Sequence, residues 1–343
     1  MNSIRIAVIG ATGAVGRVLL DIVEERGFPA DEIRLCASRR SWGKRIAVNG
    51  RDLTVEEATP KLLGEVDIVF IAAGGDVSRE IAPLAVERGA VVVDKSSTFR
   101  MDPAVPLVVP EVNADDLEDN RGIISSPNCS STPLVMALKP LDDANPVTRV
   151  VADTYQSVSG AGAAAMDELN AQAGQVLAGE TPVPSSFSHQ IAFNVLPHVE
   201  NFTENGYTSE EMKMIHETRK ILHRPDLAVS ATCVRVPVMV SHSEAVHVEF
   251  ERPISPSEVR DILSAAPGMV VLDDPASSVY PMPVEAEGLD PVFVGRIRRD
   301  ESHPRGIVMW LVSDNLRKGA ALNAIQIAEE LMLRELLPAK GRI

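Results

Sequence analysis

Ile4-Arg5-Ile6-Ala7-Val8-Ile9-Gly10-Ala11-Thr12-Gly13-Ala14-Val15-Gly16 opens the chain. A short apolar run stops at three glycines spaced three apart. Beyond them Val18, Leu19, Ile22 and Val23 share one face at helical spacing. Strand, glycine turn and helix in that order form the context that raises such a spacing to a dinucleotide-binding signature. The glycines allow a tight turn and let a pyrophosphate approach the helix N-terminus. A glycine turn without a ligand is the bland alternative, and the flanking pattern weighs against it.

The same alternation continues outward. Residues 33–37, 66–72 and 90–93 read as strands, and 77–87 as a helix. Strands alternating with helices through short turns predict a parallel sheet with helices on both faces. After residue 128 the texture changes. Residues 147–158, 231–240, 245–251, 292–299 and 307–312 read as strands, and 162–177 as an Ala-rich helix. Val246, Val248 and Phe250 alternate with His247 and Glu249, as in a sheet with one wet face. Ser255-Pro256-Ser257-Glu258 carries a helix cap, a first-position proline and a capping-box glutamate. Residues 317–336 read as a last helix that could pack back on the first domain.

The expected architecture is α/β: a Rossmann-type parallel sheet, then an α+β domain with a mainly antiparallel sheet for catalysis and dimerisation. The expected ranges are 1–128 with 315–343, and 129–314.

The chain has 343 residues, 45% of them hydrophobic, and a formal net charge of −15. That charge disfavours non-specific nucleic-acid binding, which needs a basic surface. No apolar run reaches the roughly 20 residues of a membrane span, and the first residues lack a signal-peptide pattern. Three cysteines, an odd number, do not suggest a disulfide framework, so a reducing cytoplasm is the expected location. No metal site is expected.

Ser126-Pro127-Asn128-Cys129-Ser130 places one of those cysteines just before an apolar helical run that starts at Pro133. A thiol there lies among unpaired N–H groups at the positive end of the helix dipole, conditions that favour a nucleophilic thiolate. Cys36 and Cys233 sit in apolar strands and read as inert thiols. A nucleophilic cysteine with a nicotinamide cofactor suggests aldehyde chemistry through a thioester.

The second strand ends in Ser38-Arg39-Arg40-Ser41, without the acid that bonds the ribose of NAD. Two arginines suit a 2′-phosphate, so NADP is the expected cofactor. Their alternative reading is a solvated turn. A thiolate also needs a base. Among seven histidines, His242 closes a run that contains Arg235, and an arginine inside a strand is costly unless it meets an anion. Considered alone, the structural readings of Arg235 and His242 weigh about evenly with the functional ones.

Taken together, these motifs resemble the aspartate-semialdehyde dehydrogenase family. The matching stretches are Gly10 to Gly16, Ala37 to Ser41, Ser96-Ser97-Thr98-Phe99-Arg100, Pro127-Asn128-Cys129-Ser130, Gln156-Ser157-Val158-Ser159-Gly160, Glu210-Glu211-Met212-Lys213, Cys233 to His242, and Ser313-Asp314-Asn315 on to Ala321. They follow the family order over nearly the full length. One departure is Asp76-Val77, where relatives often carry small or hydroxyl residues.

The resemblance implies NADPH-dependent, reversible reduction of L-aspartyl 4-phosphate to L-aspartate 4-semialdehyde and phosphate, serving lysine, threonine and methionine synthesis. It implies Cys129 as nucleophile, His242 as general acid/base and Gln156 as the residue orienting substrate or thioester. Arg235 would grip the substrate carboxylate and Glu210 its ammonium, while Arg100 and Lys213 would bind phosphate. Thr208-Ser209-Glu210-Glu211 is also a capping-box sequence; Glu211 fits the cap position and leaves Glu210 available. Gly10, Thr12, Gly13, Ala14, Val15, Gly16, Ser38, Arg39, Arg40, Ser159, Gly160 and Asn315 would contact the cofactor. The family implies a homodimer or homotetramer. The alternatives are another acyl-phosphate reductase, of the N-acetylglutamyl-phosphate type, and a cofactor-binding paralogue that has lost catalysis.

Overall fold

The computed structural model describes residues 4–338, so residues 1–3 and 339–343 of the expected first-domain ranges lie outside the described residues. The chain divides into two compact units, Met1–Asn128 with Ala320–Ile343, and Cys129–Gly319.

The first unit runs β1 (Ile4–Ile9), α1 (Ala14–Glu25), β2 (Ala30–Cys36), β3 (Arg45–Val48), β4 (Arg51–Glu56), α2 (Pro60–Glu65), β5 (Ile68–Ile71), α3 (Gly75–Glu87), β6 (Val91–Asp94), α4 (Pro110–Asn113) and β7 (Ile123–Ser125). Late in the chain, α10 (Leu322–Leu333) returns to it. The strand order is β3-β4-β2-β1-β5-β6-β7, parallel except for the β3–β4 hairpin.

Alternation along β1 explains the two helical layers. Ile6 and Val8 join Leu19 and Ile22 of α1 and Ile325 and Ala328 of α10 in one apolar cluster. Ala7 and Ile9 join Leu62, Leu63, Ile81 and Ala85 in a second cluster on the opposite face. Every residue of β5 and β6 is buried, as a strand covered on both faces requires. The alternation reading omits the β3–β4 hairpin, although its Asn49-Gly50 turn, with both residues at positive φ, carries a hairpin signal.

The second unit runs α5 (Ser131–Ala144), β8 (Val147–Gln156), α6 (Ala163–Leu177), α7 (Ser209–Ile221), β9 (Ala228–Arg235), β10 (His242–Phe250), α8 (Pro256–Ala265), β11 (Met269–Val271), α9 (Pro283–Ala286), β12 (Val292–Arg299) and β13 (Gly306–Ser313). Its sheet order is β11-β12-β13-β10-β8-β9. The pairs β12–β13, β13–β10 and β10–β8 are antiparallel, and the two outer pairs are parallel. Val246, Val248 and Phe250 are buried together with Val150 and Ala152, whereas Tyr155 is 41% exposed.

Two expectations are corrected. The run 231–240 is not one strand: β9 ends at Arg235, two residues before Pro237, and the chain turns before His242 begins β10. Proline cannot supply the N–H a ladder needs. The last helix is not continuous from 317, because Arg317–Ala321 forms a π-helical turn ahead of α10. The side chain of Asp314 starts that turn by accepting the N–H groups of Leu316 and Arg317. The second compact unit, Cys129–Gly319, ends within that turn. Asn315 stays with the second unit because its side-chain oxygen bonds Ser157, Ser159 and Ser241. Among the described residues, no helix is long and apolar enough to cross a membrane.

Candidate active site

Cys129 stands two residues ahead of α5, and its Sγ lies 3.3 Å from His242 Nε2. The thiol is partly exposed, whereas Ser130 and His242 are buried. His242 occupies the first position of β10, just past Ser241, whose φ of 74° lies in the left-handed region. That strained turn re-aims the chain between β9 and β10 and presents the imidazole to the thiol. On the far side of the ring, Nδ1 accepts the backbone N–H of Ser157 at 3.0 Å. A sulfur within reach of an imidazole nitrogen, with the ring oriented from behind, is the arrangement of an activated nucleophile.

Gln156, the last residue of β8, is fully buried rather than at an open sheet edge. Its Nε2 donates to Ser130 Oγ at 2.5 Å and to Glu210 Oε1 at 2.9 Å. Glu210 can reach inward because its neighbour does the capping. Thr208 and Glu211 complete the capping box of α7, and Glu211 also accepts the N–H of Cys233. Glu210 Oε2 receives Lys213 Nζ at 3.3 Å, and Lys213 also pairs with Glu200. Lys213 is therefore not a plain surface lysine.

Arg235 is 7% exposed, and its Nη1 donates to the carbonyl of Ser157 at 2.7 Å. Burial lowers the pKa of its guanidinium, while the fields of Glu210 and then Cys129 raise it. A Cβ on Gly160 would lie 3.0 Å from Arg235 Nη1 and 3.2 Å from His242 Nε2. Glycine at 160 thus keeps open the space those two side chains face. A planar cation and a thiol–imidazole pair beside Gly160, with the Glu210 carboxylate joined through Gln156 to Ser130, suit a small zwitterion with an electrophilic carbonyl.

In the first unit, Gly10 has φ +89°, and a Cβ there would lie 2.3 Å from the Ala72 carbonyl oxygen. A Cβ on Gly16 would lie 2.2 Å from the carbonyl oxygen of Gly10. Both positions require glycine. Gly13 is the N-cap of α1, and Ala14 and Val15 open the helix at its positive end, a place that favours an anion. Thr12 Oγ1 lies 3.4 Å from Ser41 Oγ, which joins this turn to the segment after β2. There Ser38, Arg39 and Arg40 are exposed, and no acid ends the strand. These residues fit a nicotinamide dinucleotide.

Arg100 also belongs to the first unit. Asp94 at the end of β6 accepts from Ser78 and Ser96 and shapes the loop that carries it. The guanidinium folds back onto the carbonyls of Ser126 and Lys95. Ser126 in turn bonds Asn323 of α10, so Arg100 is fixed beside the segment leading to Cys129.

Burial raises the thiols of Cys36, to about 12, and of Cys233, as inert cysteines require. Sequence reasoning missed Ser130, Ser157, Glu200 and Gly319. A Cβ on Gly319 would lie 2.9 Å from the Cβ of Cys129. Ser130, Ser157 and Gly319 lie within recognised motifs and Glu200 outside them, and only folding assigns each a partner.

Two family models match the chain: the semialdehyde dehydrogenase NAD binding domain over residues 5–120, and the semialdehyde dehydrogenase dimerisation domain over residues 138–318. Aspartate-semialdehyde dehydrogenase of Aquifex aeolicus is 52% identical over 337 residues, covering 97% of this chain and 99% of that protein. The crystal structure of aspartate semialdehyde dehydrogenase II complexed with ASA from Vibrio cholerae superimposes with a TM-score of 0.95 at 46% identity, covering 97% and 99% of the two chains. The Candida albicans aspartate semialdehyde dehydrogenase with NADP aligns with a TM-score of 0.76 at 27% identity, covering 98% and 100%. On this agreement over its whole length, the chain belongs to the aspartate-semialdehyde dehydrogenase family of oxidoreductases.

Proposed function

We propose that Cys129 and His242 carry out the family reaction, the reversible, NADPH-dependent reduction of L-aspartyl 4-phosphate to L-aspartate 4-semialdehyde and phosphate. The observation that carries this reading is the 3.3 Å approach of Cys129 Sγ to His242 Nε2.

In the reductive direction the Cys129 sulfur attacks the acyl carbon, the C–O bond to phosphate breaks, and an acyl-thioester remains on the protein. A bound nicotinamide cofactor supplies the hydride that reduces it. The alkoxide then collapses: the C=O bond re-forms, the C–S bond breaks, and His242 returns from Nε2 to the departing sulfur the proton it took from the Cys129 thiol, releasing the aldehyde. The N–H of Cys129 is a donor for the oxyanion. Gln156 orients the acyl oxygen, while Arg235 pairs with the substrate carboxylate and Glu210 with its ammonium. Arg100 and Lys213 bind phosphate.

NADP is the proposed form of the cofactor, supported by Arg39 and Arg40 where an NAD site would carry an acid. Thr12, Ser38, Ser159, Gly160 and Asn315 are its further proposed contacts. A homodimer or homotetramer is the proposed assembly, supported by the exposed Tyr155 packed 5.3 Å from Trp310 on the open face of the second sheet. The cytoplasm is the proposed location.

The reading is tested with Cys129→Ala, assayed by phosphate-dependent NADP reduction with aspartate semialdehyde. Turnover is expected to vanish while NADP binding by calorimetry persists; retained turnover overturns it. A substrate panel that includes N-acetylglutamate semialdehyde separates the acylated alternative.

A further inference from the structure

We infer that Ser157 is a positioning residue whose hydroxyl, turning between His242 and Asn315, lets the imidazole change its protonation state. The inference rests on the reading of Cys129 and His242 as the reacting pair.

Ser157 meets His242 Nδ1 with two atoms: its backbone nitrogen at 3.0 Å and its Oγ at 3.0 Å. The backbone N–H can only donate. It therefore favours an unprotonated Nδ1, with the ring proton on Nε2 facing the sulfur. For Cys129 to give up its proton, however, Nε2 must present its lone pair and Nδ1 must carry the hydrogen. The backbone N–H cannot accept that hydrogen, whereas Ser157 Oγ can.

The surroundings give the hydroxyl a second place for its own proton. Asn315 Oδ1 lies 3.1 Å from Ser157 Oγ and also accepts Ser159 Oγ at 3.0 Å and the Ser241 N–H at 2.9 Å. Ser159 Oγ is itself 3.0 Å from Ser157 Oγ. With its hydrogen aimed at Asn315, Ser157 Oγ offers a lone pair to Nδ1–H. With its hydrogen aimed at Nδ1, it supports the ring when the proton is on Nε2. The ring reaches the Nδ1–H tautomer by exchanging its Nε2 proton with water, one proton lost and one gained; from there the S–H bond of Cys129 breaks, the N–H bond at Nε2 forms, and Nδ1–H rests on Ser157 Oγ.

Other groups near the ring do not replace this acceptor. Cys129 Sγ faces the opposite nitrogen. Arg235, from β9, is a cation that already donates to the Ser157 carbonyl. Glu210, from α7, is engaged by Gln156 and Lys213. Glu244 lies two residues along β10, and among the described residues neither of its carboxyl oxygens has a hydrogen-bond partner. From β13, the residue in register with His242 is the neutral Ser313.

The test is the pH dependence of Cys129 alkylation by iodoacetamide in the full-length enzyme, compared with Ser157→Ala and Ser157→Thr. Ser157→Ala removes the hydroxyl and keeps the backbone N–H that donates to Nδ1. Its alkylation midpoint is expected to move up by about one pH unit, and kcat to fall about tenfold. NADP affinity is expected to stay unchanged. Ser157→Thr, which keeps a hydroxyl, is expected to restore the midpoint. Imidazole nitrogen chemical shifts of His242 give a second readout: the Ala variant should hold the proton on Nε2 over a wider pH range. Coincidence of the Ala and parent profiles, with the parent midpoint below that of a free thiol, overturns the role of Ser157 alone. A parent midpoint at the free-thiol value overturns the reading of Cys129 on which it rests.

Discussion

Gly319 and Cys129 are 190 residues apart in sequence, yet a Cβ on Gly319 would lie 2.9 Å from the Cβ of Cys129 and 3.2 Å from its Cα. The π-helical turn at Arg317–Ala321 presses its backbone against the thiol-bearing residue, and glycine is what permits that approach. Gly319→Ala is therefore expected to push the sulfur away from His242. A displacement approaching 1 Å lowers turnover about a hundredfold. Steady-state kinetics would show this as a loss in kcat with unchanged NADP affinity; a kcat within twofold of the parent would contradict it.

Arg235 presents a planar fork from the end of β9, buried and anchored through Nη1 to the Ser157 carbonyl. Arg235→Lys keeps the charge but loses the bidentate geometry. Its KM for aspartate semialdehyde should rise by about tenfold or more, with a smaller fall in kcat. An unchanged KM would remove Arg235 from substrate recognition.

Arg39 and Arg40 follow β2 in an exposed turn. Replacing both with alanine should raise the KM for NADP by about tenfold, the size of one lost charge-assisted bond, and leave the KM for NAD nearly unchanged. Equal effects on the two cofactors would show that the arginines do not read the 2′-phosphate.

Glu244 predicts a pH dependence of stability. It is fully buried on β10 opposite Thr154, and among the described residues neither of its carboxyl oxygens has a hydrogen-bond partner. Burial raises its pKa well above the ordinary carboxylate value. The folded state therefore holds a proton that the unfolded state releases, so stability falls as pH rises from the unfolded carboxylate pKa towards the raised folded one. Glu244→Gln removes the titration. The variant should lose this part of the decline and melt higher than the parent at neutral pH. Thermal melts across the pH range test this; parallel Tm curves for the two proteins would exclude it.

Local pattern carried most of the fold. Ile6 and Val8 against Ala7 and Ile9 already implied a strand covered on two faces, and the glycine spacing implied the turn that follows. The thiol was legible because Cys129 precedes a long apolar run. The course of residues 236–241 was less legible. The apolar sequence of Val234, Val236, Val238 and Val240 suggests continuation, but Pro237 and the left-handed Ser241 break the ladder.

Sequence by itself determined the two sheet types, the dinucleotide turn, the arginines in place of an acid, and a single cysteine placed for nucleophilic chemistry. These are properties of neighbouring residues, set by periodicity of two or 3.6 and by the φ freedom of glycine. Tertiary structure alone decided that Cys129 meets His242 across 113 positions, that Glu210 rather than Glu211 reaches Gln156, and that Gly319 makes room for the thiol. Such contacts depend on strand register and turn geometry, where a shift of one residue reverses which face a side chain occupies.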